Sequence, residues 1–282
     1  RQFSTIACSQ AEAMGSESPI PKYVAEFIGT YMLVFTVGCN VLTGQAVWGV
    51  TSIACTLMVS IYALGGVSGA NFNPAVSLAL GIAKKLAWSD VAIYIIVQLT
   101  AGVAAGFSYG AFFGNIFDLQ PSPGYGFFQT LLAEFLYTFM LCFVVLNVAA
   151  SKTHGGKNQF YGLAIGFVVI AGGYGAGHIS GGCFNPAVAW GVDISSATMG
   201  VDWCFFYTAF EFLGAVLAAV LFQVCRPEEK DEDALPPAEY SLESRLVAEF
   251  LGTYFLVVTV GLNVIGGSKA PVFSIAASLM CM

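Results

Sequence analysis

The pentapeptide Phe-Asn-Pro-Ala-Val stands twice in the chain, at residues 72–76 and 184–188, and each copy closes a glycine-rich apolar stretch. The first stretch is Gly65-Gly66-Val67-Ser68-Gly69-Ala70-Asn71-Phe72-Asn73-Pro74-Ala75. It aligns without a gap on Gly177-His178-Ile179-Ser180-Gly181-Gly182-Cys183-Phe184-Asn185-Pro186-Ala187. Asparagine is favoured at a helix N-cap and proline is preorganised for the first helical position. The residue before a proline is in turn driven into the extended backbone that an N-cap wants. Each copy therefore predicts a helix start. The Asn side-chain oxygen accepts from the helix's own free N–H groups, which leaves its NH2 as a donor toward whatever lies beyond the helix end. That end carries about half a positive charge. Such a pair of sites suits an uncharged, oxygen-bearing solute and disfavours cations.

The elements that position these sites are apolar. The runs after the two asparagines, 74–83 and 186–191, fall short of the roughly 20 helical residues that cross a bilayer, so they read as half-helices. Non-helical backbone at membrane depth is tolerated only where it is buried in protein or lines a water-filled cavity. The glycine-rich segments before each Asn are expected to offer unpaired carbonyls to such a cavity. Hydrophobic residues make up 57% of the 282-residue chain and charged residues 10%, with a mean hydropathy of +0.77. This is a membrane composition. Spans of membrane length are expected near 24–42, 47–64, 87–113, 130–150, 160–176, 203–224 and 246–265, and a last one from 271 onward.

Basic residues orient these spans. Arg1, Lys22, Lys84, Lys85, Lys152, Lys157, Arg226, Lys230 and Arg245 all fall on one side, and Lys269 alone falls opposite. By the positive-inside rule that side, with the N-terminus, is cytoplasmic. The loops at 114–129 and 193–202 then face out. The segment up to residue 21 is polar, reads as flexible and shows no signal-peptide pattern that would select the plasma membrane over a vacuolar or organelle membrane.

Ala25-Glu26-Phe27-Ile28-Gly29-Thr30-Tyr31 is echoed by Ala133-Glu134-Phe135-Leu136-Tyr137-Thr138-Phe139, and the two Asn-Pro-Ala copies are separated by a similar interval of about 110 residues. Three spans and one half-helix make up the unit. Because three is odd, the second unit enters from the opposite face, which gives an inverted repeat with its site at the repeat interface.

On these residues, the two Asn-Pro-Ala motifs, the two Ala-Glu-Phe signatures and Gln98 in the third span, the chain resembles the aquaporins, or major intrinsic proteins, over about residues 20–226. The resemblance implies an all-α membrane protein of six transmembrane helices plus two re-entrant half-helices, one narrow pore per subunit and a homotetramer in the bilayer. The pore motifs it implies are Asn73, Pro74, Ala75 and Asn185, Pro186, Ala187. The repeats then span about 22–113 and 130–226.

Family filter positions, counted from the two Asn, fall on Ile53, Gly173, Gly182 and Val188. Val188 stands where strict water channels and glycerol channels usually carry arginine, and Ala189 where glycerol channels commonly carry aspartate. Vacuolar plant-type members also place valine there. An Ile/Gly/Gly/Val ring is apolar and wide, and is expected to pass water with glycerol, urea, ammonia or hydrogen peroxide. Ion exclusion then rests on the half-helix dipoles and on the cost of stripping an ion, several kcal/mol per charge.

A third echo follows. Residues 247–254 nearly repeat 24–31, residues 259–264 copy 36–41 with one change, and 274–280 resemble 52–58. Residues 245–282 read as the start of a second channel unit whose next Asn-Pro-Ala is expected near position 295, and both ends of the chain read as incomplete. Between the units, 227–244 reads as a solvated acidic linker rather than a catalytic carboxylate cluster.

Other residues admit two readings. Glu26 and Glu134 sit within spans, where an acid is a functional candidate but also serves as a structural acceptor for the re-entrant loops; the resemblance favours the second. Glu211 aligns with Gln98 across the repeat. His178 could line the outer pore or brace its loop, and His154 reads as a solvated loop residue or a gate. Gly102 with Gly106, and Gly162 with Gly166, have the spacing of close helix crossings. Of the eight cysteines, Cys183 lies beside the expected filter, and none pairs by spacing into a disulfide framework or zinc site. No nucleophile and base, phosphate loop, cofactor motif or basic patch for nucleic acid stands out, so the expected partners are water, small neutral solutes and lipid. The reading is a passive channel, not an enzyme. The alternative is a low-flux structural or junctional membrane protein that keeps the fold, with ion-coupled transport as a third possibility.

Overall fold

The computed structural model describes residues 18–45, 47–231 and 233–282. Arg1, Cys8 and most of the expected flexible segment lie outside the described residues. Among those described, all regular structure is helical. The long helices are α1 (Ile20–Leu42), α2 (Gly49–Ser68), α4 (Trp88–Phe113), α5 (Phe127–Val145), α6 (Tyr161–Ser180), α8 (Trp203–Cys225) and α9 (Leu242–Ile265). All seven are long and apolar enough to cross a membrane, α5 together with the π-turn Leu146–Ala150 that ends it. The short ones are α3 (Pro74–Ile82), α7 (Pro186–Ser195) and α10 (Pro271–Cys281). The chain is an integral, multi-pass membrane protein.

Most of the larger departures from the expected boundaries lengthen a helix. Helix α1 begins at Ile20, inside the segment read as flexible, because Pro21 fits a first helical turn. Helices α2 and α6 run on through Gly65-Gly66 and Gly177 to Ser68 and Ser180, and each stops at a left-handed glycine, Gly69 (φ 87°) and Gly181 (φ 87°). Only four residues before each Asn are therefore non-helical, 69–72 and 181–184, fewer than the glycine content suggested. Helix α7 continues past Gly191 to Ser195.

The two repeats build one bundle by exchanging half-helices. Helix α1 packs on α4 and α5 on α8, while α7 of the second repeat lies against α4 of the first and α3 of the first against α8 of the second. Small residues permit this. A Cβ on Gly102 would stand 2.1 Å from Ala187 O, and one on Gly106 2.2 Å from Gly191 O, so α4 and α7 cross in backbone contact. Gly162 and Gly166 likewise admit Tyr62 and the Ala54 carbonyl of α2. Outward faces carry large apolar side chains such as Ile96, Phe107, Phe112 and Phe128. This suits hydrocarbon rather than water.

Candidate functional site: a cavity between two opposed half-helices

Each half-helix starts as the sequence dictates. Asn73 and Asn185 are N-caps with extended backbone, and their Oδ1 atoms accept from the N–H groups of Ala75 (2.8 Å) and Ala187 (2.9 Å). Their Nδ2 atoms cross the repeat interface, Asn73 donating to Phe184 O (2.8 Å) and Asn185 to Phe72 O (2.9 Å). The positive ends of α3 and α7 therefore meet through two reciprocal bonds.

Buried carboxylates shape the loops that feed these ends. Glu26 Oε1 accepts from Ser68 Oγ (2.6 Å) and Asn71 N (3.0 Å), and its Oε2 from Phe72 N (2.8 Å) and Gln98 Nε2 (2.8 Å). Glu134 repeats the pattern on Ser180 Oγ (2.5 Å), Cys183 N (3.1 Å) and Phe184 N (2.7 Å). Phe72 and Phe184 sit in left-handed backbone (φ 50° each), a conformation costly for a non-glycine residue and held here by the carboxylate beneath it. Gln98 and Glu211 occupy equivalent places, but Gln98 supports Glu26 whereas Glu211 Oε1 accepts from Asn185 N at 2.8 Å. Both span acids thus accept hydrogen bonds from the loops that precede the two asparagines.

Beside the two asparagines runs a cavity of about 620 Å³. Its lining extends from Gly44 and Gln45, in the loop after α1, to Gly156 and Tyr161, in and after the loop that follows α5, so it reaches both ends of the bundle. Ile53, Gly173, Gly182 and Val188 all face it, as do Asn73, Asn185 and Cys183. Its walls are otherwise mostly apolar, with Leu57, Ile61 and Val76 among them and Asn40, Gln45 and Asn71 as further polar members, and the segments 69–71 and 181–183 bring backbone to it. Pro74, Ala75, Pro186 and Ala187 are buried behind the asparagines and do not line it.

His178 is absent from that lining. Its ring stands edge-on to Tyr125 at 5.6 Å and fills the space beside Gly266, so it braces the outer loop and the α9 end instead of facing the cavity. His154 is half-buried in the loop after α5, and burial together with the nearby Arg226 and Lys157 holds its imidazole below its usual pKa. The acidic linker is not wholly solvated. Glu228 and Glu229 are buried, Glu229 taking Lys85 Nζ (2.5 Å) and Lys152 N (2.7 Å), and Glu228 taking Tyr240 OH (2.7 Å). Lys152 also donates to linker carbonyls. Basic loop residues gathered on one face draw the acids onto it.

Two pairs escaped the sequence reading. Tyr94 OH and Tyr207 OH donate to Ser68 O (2.7 Å) and Ser180 O (2.6 Å), pinning the last carbonyl of α2 and of α6. The signal was present, since each Tyr stands four residues before Gln98 or Glu211.

Inverted repeats, two half-helices meeting end to end and a cavity running past both define a membrane channel. The model of the Major intrinsic protein family matches residues 14–174 and again 166–280. Probable aquaporin NIP4-2 of Arabidopsis thaliana is 32% identical over 221 residues, 74% of this chain and 76% of the relative. Aquaporin AqpM of Methanothermobacter thermautotrophicus is 32% identical over 240 residues (73% and 97%), and glycerol uptake facilitator protein-like 6 of Lactiplantibacillus plantarum 32% over 220 (74% and 99%). An X-ray structure of the aquaglyceroporin from Plasmodium falciparum superposes with a TM-score of 0.62 at 20% identity, covering 73% of this chain and 94% of that one, which bears on the fold. The chain belongs to the major intrinsic protein family. It is a membrane channel for water and small solutes, not an enzyme.

Proposed function

We propose that the channel is a passive one with a wide apolar filter at Ile53, Gly173, Gly182 and Val188, passing glycerol- or urea-sized neutral solutes as well as water. One observation carries the reading: all four positions face the same end-to-end cavity and none bears a charge or a hydrogen-bonding side chain. Each Asn has spent one amide hydrogen on the opposite loop, and the other is free to donate to a permeant oxygen in the cavity. The carbonyls of segments 69–71 and 181–183 accept in turn. Two helix N-termini pointing at one place make it unfavourable for cations. The N-terminus is taken as cytoplasmic and the channel units as assembling in fours, both on the resemblance and the basic-residue pattern.

Proteoliposomes carrying the chain, shrunk osmotically and followed by stopped-flow light scattering, test this. Fast shrinkage with an impermeant solute, and fast re-swelling with glycerol or urea that Val188→Arg suppresses, is the expected outcome. Folded protein with no flux above empty liposomes would instead favour a structural role.

A further inference from the structure

The second repeat buries one acid more than the first. Glu26 pairs with Gln98 in repeat one and Glu134 with Glu211 in repeat two, and all four side chains are fully buried. Gln98 meets its glutamate as a neutral amide, with Nε2 donating to Glu26 Oε2 at 2.8 Å and to Ser77 Oγ at 3.0 Å. Glu211 has no such hydroxyl beside it. Ala189 stands four residues after Asn185, where Ser77 stands four after Asn73. Glu211 Oε2 is a buried oxygen to which no N–H or hydroxyl among the described residues donates.

The two acids of repeat two are neighbours. Glu134 Oε2 accepts from Phe184 N (2.7 Å) and Glu211 Oε1 from Asn185 N (2.8 Å), successive amides of one loop, and the carboxyl groups are within hydrogen-bond reach of each other. Two carboxylates so placed in a buried site cannot both be ionised. The positive end of α7 offers about half a charge, enough for one of them at most. The other groups on which Glu211 acts, Cys142, Cys183 and Tyr207, supply no positive charge, and Asp193 beside the last two is a further acid. Glu134 spends its lone pairs on three donors, whereas Glu211 Oε2 receives none. We propose that Glu211 works as a neutral carboxylic acid, with the proton on Oε2 donated to Glu134 as Gln98 donates to Glu26, and with Oε1 holding Asn185. Glu211 is then a positioning residue. It acts on the cavity through Asn185, whose main-chain N–H it holds and whose side chain lines that space. By staying neutral it also keeps a second negative charge from the place where the half-helices meet.

Infrared spectroscopy of the purified full chain, made in H2O and in D2O, tests for the proton. A carboxylic-acid C=O band that shifts in D2O is expected in the unaltered chain, is lost in Glu211→Gln and persists in Glu134→Gln. Flux in proteoliposomes tests the positioning, and this readout alone rests on the channel reading. A glutamine keeps one donor and one acceptor where the neutral acid had them, so Glu211→Gln should hold the flux that Glu211→Leu, with neither, loses. No acid band removed by Glu211→Gln would mean that Glu211 is ionised and would overturn the proposal. Loss of the band in Glu134→Gln would place the proton on the other acid and overturn it too, as would Glu211→Gln losing flux as fully as Glu211→Leu. Should Glu211→Leu fail to fold, the band and the flux of Glu211→Gln still decide. A band that belongs to Glu211 in a folded chain without any flux would uphold the proton and refute the channel reading.

Discussion

Asn73 and Phe184, one from each repeat, are joined by a 2.8 Å bond from the side-chain amide to the main-chain carbonyl, and Asn185 returns it to Phe72 at 2.9 Å. The same Asn therefore caps its own half-helix and ties the opposite loop. Removing a cap costs about 1 kcal/mol and losing a hydrogen bond about 1 kcal/mol more. Asn73→Ala is thus expected to destabilise the channel by about 2 kcal/mol, read by denaturant unfolding in detergent, and to lower water flux. Because the two bonds share the same interface, Asn73→Ala with Asn185→Ala should lose less than the sum of the two single changes.

Glu134 makes a second demand. Three donors converge on its two oxygens, and a glutamine there keeps one acceptor while turning an NH2 toward an N–H. A buried donor left without its acceptor costs about 1–3 kcal/mol. Glu134→Gln should therefore release Phe184 from its left-handed backbone and cost about 2–4 kcal/mol. Faster amide exchange at Cys183 and Phe184, with reduced flux, is the expected result. Unaltered exchange would mean that the loop keeps its shape without the carboxylate.

Much of this fold was written locally. Asn-Pro at a helix start and uninterrupted apolar runs are short-range signals, and both half-helices begin at the expected residue. Helix ends were less legible, because a glycine within an apolar helix and a glycine that ends it look alike in sequence. Gly65 continues α2 while Gly69, four residues on, stops it at positive φ. The four proposed filter positions came from counting along a family pattern, and all four line one cavity. His178 stayed open between two readings because a residue seven before an Asn N-cap can face either side of α6, and its contacts with Tyr125 and Gly266 are distant in sequence. The linker acids were misread for a similar reason. Their partners Lys85 and Lys152 lie far back in the chain, so composition alone suggested solvation.

Cys183 faces the cavity next to Gly182 and carries no disulfide. A mercurial bound at its sulfur would occupy the same cavity as the proposed filter residues. Block of water flux by mercury that Cys183→Ser abolishes is the expected outcome, because Cys55 faces outward and Cys142 is buried away from the cavity. Block that persists in the serine variant would place the sensitive thiol elsewhere.

The loop at 151–159 holds His154, whose ring is kept below its ordinary pKa of 6.5 first by burial and then by Arg226 and Lys157. In an opened loop the imidazole regains its ordinary proton affinity. Between the lowered value and about 6.5 the open form therefore binds more protons than the closed one, and linkage makes the closed form lose stability as pH falls through that window. Above it the contribution is complete and constant. Gly156 of this loop lines the cavity, and Lys152 beside it is clasped by the linker, so opening here would alter one mouth of the channel. Protection factors of residues 151–159, which take out the intrinsic base-catalysed dependence of amide exchange on pH, should fall from pH 7.5 to pH 5.5 in the unaltered chain, and that fall should vanish in His154→Gln, which carries no titrating group. An equal fall in both would show that His154 does not carry the pH response.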